Sequence, residues 1–180
     1  MNLPNRLTLA RMFLIPVFLA VVTLRIPYGD FIAAGVFILA ASTDGLDGYI
    51  ARKNKQVTTL GKFMDPLADK LLVSAALIVL VELGKLSAWV AVLIIGREFM
   101  VTGLRAIAAA DGVVISASKL GKWKTVTQII AIVAMFLDNI TFQFLGFDLG
   151  RIAMGVAVFF TIWSGTDYVS KGWHLLKKEQ

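Results

Sequence analysis

Asp44 and Asp47 stand three residues apart, and Asp65 and Asp69 four apart, in a chain of 180 residues with 12 acidic side chains. Residues three and four apart share a helix face. On one helix that spacing aligns Asp44, Asp47, Gly48 and Ala51, and on the next it aligns Gly61, Asp65 and Asp69. The connection between them, residues 53–60, is short and polar, so the two helices are expected to be antiparallel neighbours with their carboxylates facing each other. Four unpaired carboxylates would repel and raise one another's pKa. Hard divalent cations are the usual neutralisers of such oxygen-rich clusters. Metals held this way clamp the charged oxygens of a diphosphate or phosphoryl group, and a spare carboxylate can accept a proton from an attacking hydroxyl. The plain alternative is a structural cluster satisfied by Lys and Arg. Carboxylates inside a membrane are costly and usually functional, which favours the chemical reading.

Other polar residues are weaker candidates. Asn5, Thr8 and Arg11 are spaced three apart and form a polar stripe on a first helix, or else an N-cap and a snorkelling Arg. Glu98 and Arg105 lie seven apart, hence on one face, and are expected to pair, with Arg97 pointing elsewhere; the plain alternative is a structural intramembrane ion pair plus a snorkelling Arg. Lys119, Lys122 and Lys124 open a later helix, where cations oppose the helix dipole and call for another partner. An anionic substrate serves, and so do anionic lipid headgroups. Lys53, Lys55 and Lys62 suit a solvated loop, Asp167 an ion pair with a nearby cation, and His174 a solvated basic tail.

The elements that must carry these residues are apolar. The chain is 58% hydrophobic with mean hydropathy +0.78, above the roughly 45–50% of soluble domains. Six runs, 12–24, 31–43, 71–81, 86–96, 125–137 and 152–166, contain no charge. A soluble chain this short has no core large enough to bury them all. The expected class is an all-α integral membrane protein, a single domain over 1–180 with six transmembrane helices. Each run is shorter than the roughly 20 residues a span needs, so each helix is expected to continue into charged residues at one end. With the N-terminus inside, those charged ends all fall on the inner side. Of the 18 Lys and Arg, only Arg25, Lys85 and Arg151 then lie outside, leaving 15 inside. That positive-inside bias puts both termini in the cytoplasm, and Trp89, Trp123 and Trp173 suit the interfacial belts. Residues 23–26 lack a small-residue cleavage site, so the first helix is expected to be retained. Pro16 is a candidate kink, and residues 138–151 look like an outer loop. The absence of Cys excludes disulfides. No Walker-type glycine loop is present, which argues against a nucleoside triphosphate motor. No nucleic-acid partner is expected.

The pattern Asp44-x2-Asp47-Gly48-x2-Ala51-Arg52-x8-Gly61-x3-Asp65-x3-Asp69 resembles the full signature of the CDP-alcohol phosphatidyltransferase family, in all eight positions and every spacing. Residues 5–11, 96–99 and 121–125 extend the resemblance along the chain. It implies a bacterial cytoplasmic (inner) membrane protein of six helices, usually a homodimer, open to the cytoplasm and inner leaflet. It implies Mg2+ or Mn2+ in a two-metal site held by Asp44, Asp47, Asp65 and Asp69, with Asp69 as the general base. Gly48, Ala51, Arg52 and Gly61 match positions around the cytidine nucleotide, and Asn5 and Thr8 are assigned there with them. The implied reaction is attack by the hydroxyl of sn-glycerol 3-phosphate on the lipid-bearing phosphorus of CDP-diacylglycerol, expelling CMP. Charge and position assign Arg105, Lys119 and Lys122 to the acceptor phosphate.

Three alternatives differ in class. Within the family the acceptor can be serine, inositol or inositol phosphate, although the basic residues favour a phosphorylated one. Intramembrane prenyltransferases also bind diphosphates through Asp-rich helices, but the Gly-x2-Ala-Arg element has no place in their motifs. A non-enzymatic ion carrier would use the Asp cluster without releasing CMP.

Overall fold

The computed structural model describes residues 3–24, 26–53, 59–110, 112, 118–138, 144 and 146–176. Side chains are described for these except at 3–5, 44–53, 59, 60, 62, 63, 119 and 171–176. The described elements are six helices: α1 (Leu3–Thr23), α2 (Gly29–Lys53), α3 (Thr59–Glu82), α4 (Ala88–Ala110), α5 (Lys119–Phe136) and α6 (Leu149–Leu176). Among the described residues there is no strand.

Each apolar run is one part of a longer helix, and the added turns lie where the charges are. α1 and α5 begin in basic residues ahead of their runs, α2 continues through Asp44, Asp47 and Arg52, and α3 starts before Asp65. α4 continues past Arg97, Glu98 and Arg105, and α6 past Asp167. Lengths run from 18 to 28 residues, or about 27–42 Å at 1.5 Å per residue, against about 30 Å of bilayer hydrocarbon. Among the described residues, two helices have windows apolar enough and long enough to cross a membrane, Arg6–Thr23 and Leu149–Ser170, and Gly29–Thr43 is a shorter apolar stretch. In α3, α4 and α5 the charges share the helix with the apolar turns, which interrupts any long uncharged window. α1 runs through Pro16 as a single helix.

The bundle buries small residues among its larger core side chains and leaves many large apolar ones on its outside. Ala33, Ala34, Ala40, Ala76, Ala131 and Ala157 are buried at the helix contacts. Leu39, Ile78 and Phe159 face outward at 62%, 57% and 57% exposure. In water such a surface would be a large sticky patch. In lipid it is the low-energy arrangement, because small residues let helices approach while large ones meet acyl chains. Trp89 and Trp123 are exposed near opposite ends of the bundle.

α1 packs along α2 and α3, and α6 along α5 and α4, while α2 and α3 both reach α5. The joint between the two halves is aromatic. Phe18 of α1, Phe37 of α2 and Phe136 of α5 are all fully or almost fully buried, with ring centroids 6.1 Å apart for Phe18–Phe37 and 5.6 Å for Phe18–Phe136. α5 and α6 are further joined by a buried bond from Gln128 Nε2 to Thr161 Oγ1, 3.0 Å. Gly150 makes their closest approach possible, since a Cβ there would lie 2.9 Å from Met135 Sδ.

The turn after α3 is a Schellman motif. Gly84 sits at φ +68°, Lys85 N–H donates to Leu80 O and Gly84 N–H to Val81 O. The expected outer loop 138–151 is shorter than its sequence suggests. Asp148 Oδ1 accepts the Arg151 N–H at 2.8 Å and caps α6, which draws Arg151 into the first turn of that helix.

Candidate active site

The second half of the aspartate motif lies on α3. Asp65 and Asp69 are half-buried one helical turn apart, and Gly61 is buried one turn earlier. Thr8, only 2% exposed on α1, donates its hydroxyl to Asp65 Oδ1. Arg11, one turn beyond Thr8, is fully buried and gives Nε to Thr43 Oγ1 of α2 at 3.1 Å. The polar stripe of α1 therefore faces the motif helices, and the alternative of a snorkelling Arg11 is overturned. A guanidinium at this depth needs anionic or hydrogen-bonding company, and the Thr43 hydroxyl, next to the motif, is one such partner.

Asp44, Asp47, Gly48, Ala51 and Arg52 occupy the last turns of α2, so their shared face follows from helix geometry. Their side chains, and that of Asn5, lie outside the described residues. Among the described residues no three metal-ligating side chains come together. Asp65 and Asp69 are the described members of the set, and two carboxylates one turn apart at intermediate burial fit a hard divalent cation.

A cavity of about 400 Å³ opens beside them between α4, α5 and the C-terminal half of α6, with Lys70 of α3 at its edge. Its charged lining is Lys70, Arg97, Arg105, Lys122 and Lys124 against the single carboxylate of Glu98. Arg105 and Lys122, two of the three expected acceptor-site cations, are brought together here and are exposed to solvent. Lys119 heads the same helix, and its side chain lies outside the described residues. Lys70, next to Asp69 in the chain, lines this pocket, so the cation pocket and the carboxylate turn adjoin.

The expected Glu98–Arg105 pair gives way to a different arrangement. Glu98 Oε1 accepts from Lys124 Nζ at 2.5 Å and from Arg97 Nη1 at 3.2 Å. Lys124 projects from a neighbouring helix straight at the carboxylate, whereas Arg105 lies two turns along α4 near the open end of the pocket. Arg97 does not snorkel: it is 8% exposed, donates Nη2 to Ser164 Oγ at 2.9 Å, and lies 5.5 Å from the centre of the Tyr168 ring. Sequence reasoning placed Lys124 only among the cations that call for an anionic partner, and gave Arg97 and Tyr168 no part in the site. Helical spacing held a signal for each. Arg97 is on the stripe with Val101 and Ala108, Lys124 with Gln128 and Ala131, and Tyr168 with Thr161 and Ser164, all buried.

A larger groove of about 680 Å³ between α4 and α6 shares Arg97 but is otherwise lined by apolar, glycine and hydroxyl residues. It lacks the paired groups that chemistry needs.

Comparison with known proteins agrees with this geometry. The CDP-alcohol phosphatidyltransferase family profile matches residues 1–163. The chain is 49% identical to a CDP-diacylglycerol–glycerol-3-phosphate 3-phosphatidyltransferase of Bacillus subtilis, covering 98% of this chain and 97% of that one. It is 40% identical to the protein of that name in Rickettsia bellii, over 93% of each chain. A cardiolipin synthase (CMP-forming) of Oryza sativa is 33% identical over 99% of this chain and 59% of its own length. With its aspartate motif complete and the profile matched across nearly all of its helices, this chain belongs to the CDP-alcohol phosphatidyltransferase family.

Proposed function

We propose that this chain is the enzyme that transfers the phosphatidyl group of CDP-diacylglycerol to sn-glycerol 3-phosphate, giving phosphatidylglycerophosphate and CMP. The observation that carries the reading is a juxtaposition: a carboxylate turn, Asp65–Asp69, adjoins a pocket with five cations and one carboxylate. The first suits a diphosphate with its metals, the second a separate anionic acceptor. Relatives of the same length carry the name of this reaction.

Family members are in general metal-dependent. Asp44, Asp47, Asp65 and Asp69 would hold Mg2+ or Mn2+, which would supply charge neutralisation at the diphosphate. The protein's own residues do the rest. Gly48, Ala51 and Gly61 leave room for the nucleotide, with Asn5, Thr8 and Arg52 around it. Arg105, Lys119 and Lys122 hold the acceptor phosphate and orient its free hydroxyl. Asp69 takes the hydroxyl proton as the new oxygen–phosphorus bond forms and the bond to CMP breaks. A water-soluble acceptor suits the exposure of Arg105 and Lys122 better than a lipid acceptor does. CMP release should require both substrates, stop in chelator and return with Mg2+ or Mn2+. Release that ignores the acceptor, or persists in chelator, contradicts the reading.

The six helices span the bacterial cytoplasmic membrane with both termini and the active site on the cytoplasmic side, and the enzyme works as a homodimer. The outward-facing apolar side chains and the charge bias of the helix ends support this placement. Because the chain has no Cys, Lys55→Cys gives a single reporter. An impermeant maleimide should label it only after intact cells are opened. Labelling from outside intact cells refutes the topology.

A further inference from the structure

Tyr168 touches both walls of the cation pocket from α6. Its hydroxyl accepts the Ser118 N–H at 2.9 Å, and its ring lies 5.5 Å from the Arg97 guanidinium carbon. The side chain is buried, at 5% exposure. Ser118 is the N-cap of α5, with Oγ accepting the Gly121 N–H at 3.0 Å. Gly121 itself stands against Tyr168, since a Cβ there would lie 3.5 Å from the tyrosine hydroxyl oxygen. The first turn of α5, which carries Lys119 and Lys122, is thus fixed at its cap by α6. Arg97, on the opposite wall, is held by the same tyrosine, by Ser164 one turn earlier on α6, and by Glu98.

A phosphate gripped from both sides is sensitive to the separation of those sides. Arg105 comes from α4 and Lys122 from α5, and the connection between these helices is 111–118. A covalent link of that length does not define the gap, whereas a hydrogen bond donated by the α5 cap to Tyr168 of α6 helps to fix it. Pre-set geometry lowers the ordering cost of binding. We propose that Tyr168 is a positioning residue that sets the spacing of the two cationic walls and so determines affinity for the phosphorylated acceptor. The proposal rests on the function proposed above and adds to it the residue that holds the acceptor site in shape.

Tyr168→Phe keeps the ring and removes the hydroxyl. Ser118→Pro removes the same hydrogen bond from the donor side, at a φ of −77° that proline adopts. It also removes the Oγ cap on the Gly121 N–H; Ser118→Ala, which removes that cap alone, serves as its reference. Steady-state kinetics with each substrate varied in turn should show the glycerol 3-phosphate KM raised about 3- to 10-fold in both, the range of one lost hydrogen bond. The CDP-diacylglycerol KM and kcat should change by less than about twofold, because the carboxylate turn is untouched. In an Arg105→Gln background the effect of Tyr168→Phe should shrink, since both act on one phosphate. A purely structural tyrosine would lower the yield of folded enzyme without moving one KM selectively. An unchanged acceptor KM in both variants, or an equal rise in both substrates' KM, overturns the proposal while leaving the wild-type reaction in place. A wild-type enzyme that no phosphorylated acceptor saturates overturns the function reading and this proposal together.

Discussion

Asp44→Asn, Asp47→Asn, Asp65→Asn and Asp69→Asn should each abolish most turnover while the protein remains folded and inserted. An amide keeps the size and one oxygen of the carboxylate but loses the charge that a hard cation requires. Metal stabilisation of charge in a reacting phosphoryl group is worth several kcal/mol, and each 1.4 kcal/mol is about tenfold in rate. Asp69 bears a second loss, since general-base catalysis contributes about 10²- to 10⁴-fold. Asp65→Asn is the sharpest of the four. Its amide oxygen can still accept from the Thr8 hydroxyl, so the α1–α3 contact survives while the charge does not. Retained membrane insertion with lost CMP release is the expected outcome. Full activity in two of the four variants makes the cluster structural.

Replacing Arg105, Lys119 or Lys122 by Gln should act on the acceptor alone. A charge-assisted hydrogen bond contributes about 1.5–3 kcal/mol, so kcat/KM for glycerol 3-phosphate should fall about 10- to 150-fold. The loss should appear mainly as a higher acceptor KM. The CDP-diacylglycerol KM should move far less, because its diphosphate rests on the carboxylate side. These residues suit the test because Arg105 and Lys122 are exposed, while Glu98 is bonded to Lys124 and Arg97. Arg97 and Lys124 do not suit it. Removing either strips a partner from a carboxylate that is only 15% exposed, which destabilises the fold whatever the substrate does. Weakened membrane association with an unchanged acceptor KM assigns the three cations to lipid headgroups. A first effect on the CDP-diacylglycerol KM assigns them to the nucleotide.

The architecture was legible where local periodicity and charge act along the chain. Runs too short to span implied helices that continue into charged turns, and α2 through Lys53 and α5 from Lys119 do so. The aspartate motif was legible because its spacing is helical within each half. The partners of buried charges were not. Glu98 meets Lys124 across 26 residues and Arg97 meets Ser164 across 67, and no local pattern encodes a contact at that separation. Arg97 and Arg11 resemble snorkelling cations in sequence because depth in a bundle depends on which face meets a neighbour. The start of α6 was misjudged for a simpler reason: an Asp cap turns an apparent loop residue, Arg151, into a first-turn residue.

The most direct measurement follows the acceptor into lipid. Purified protein with CDP-diacylglycerol, Mg2+ and glycerol 3-phosphate labelled in its carbon skeleton is extracted into organic solvent, beside parallel reactions with labelled serine, inositol, inositol phosphate and phosphatidylglycerol. The account predicts label from glycerol 3-phosphate in an anionic phospholipid, one mole per mole of CMP released, with the other acceptors far behind. CMP released at the same rate with no labelled lipid formed, or preferential transfer to an unphosphorylated acceptor, would contradict it.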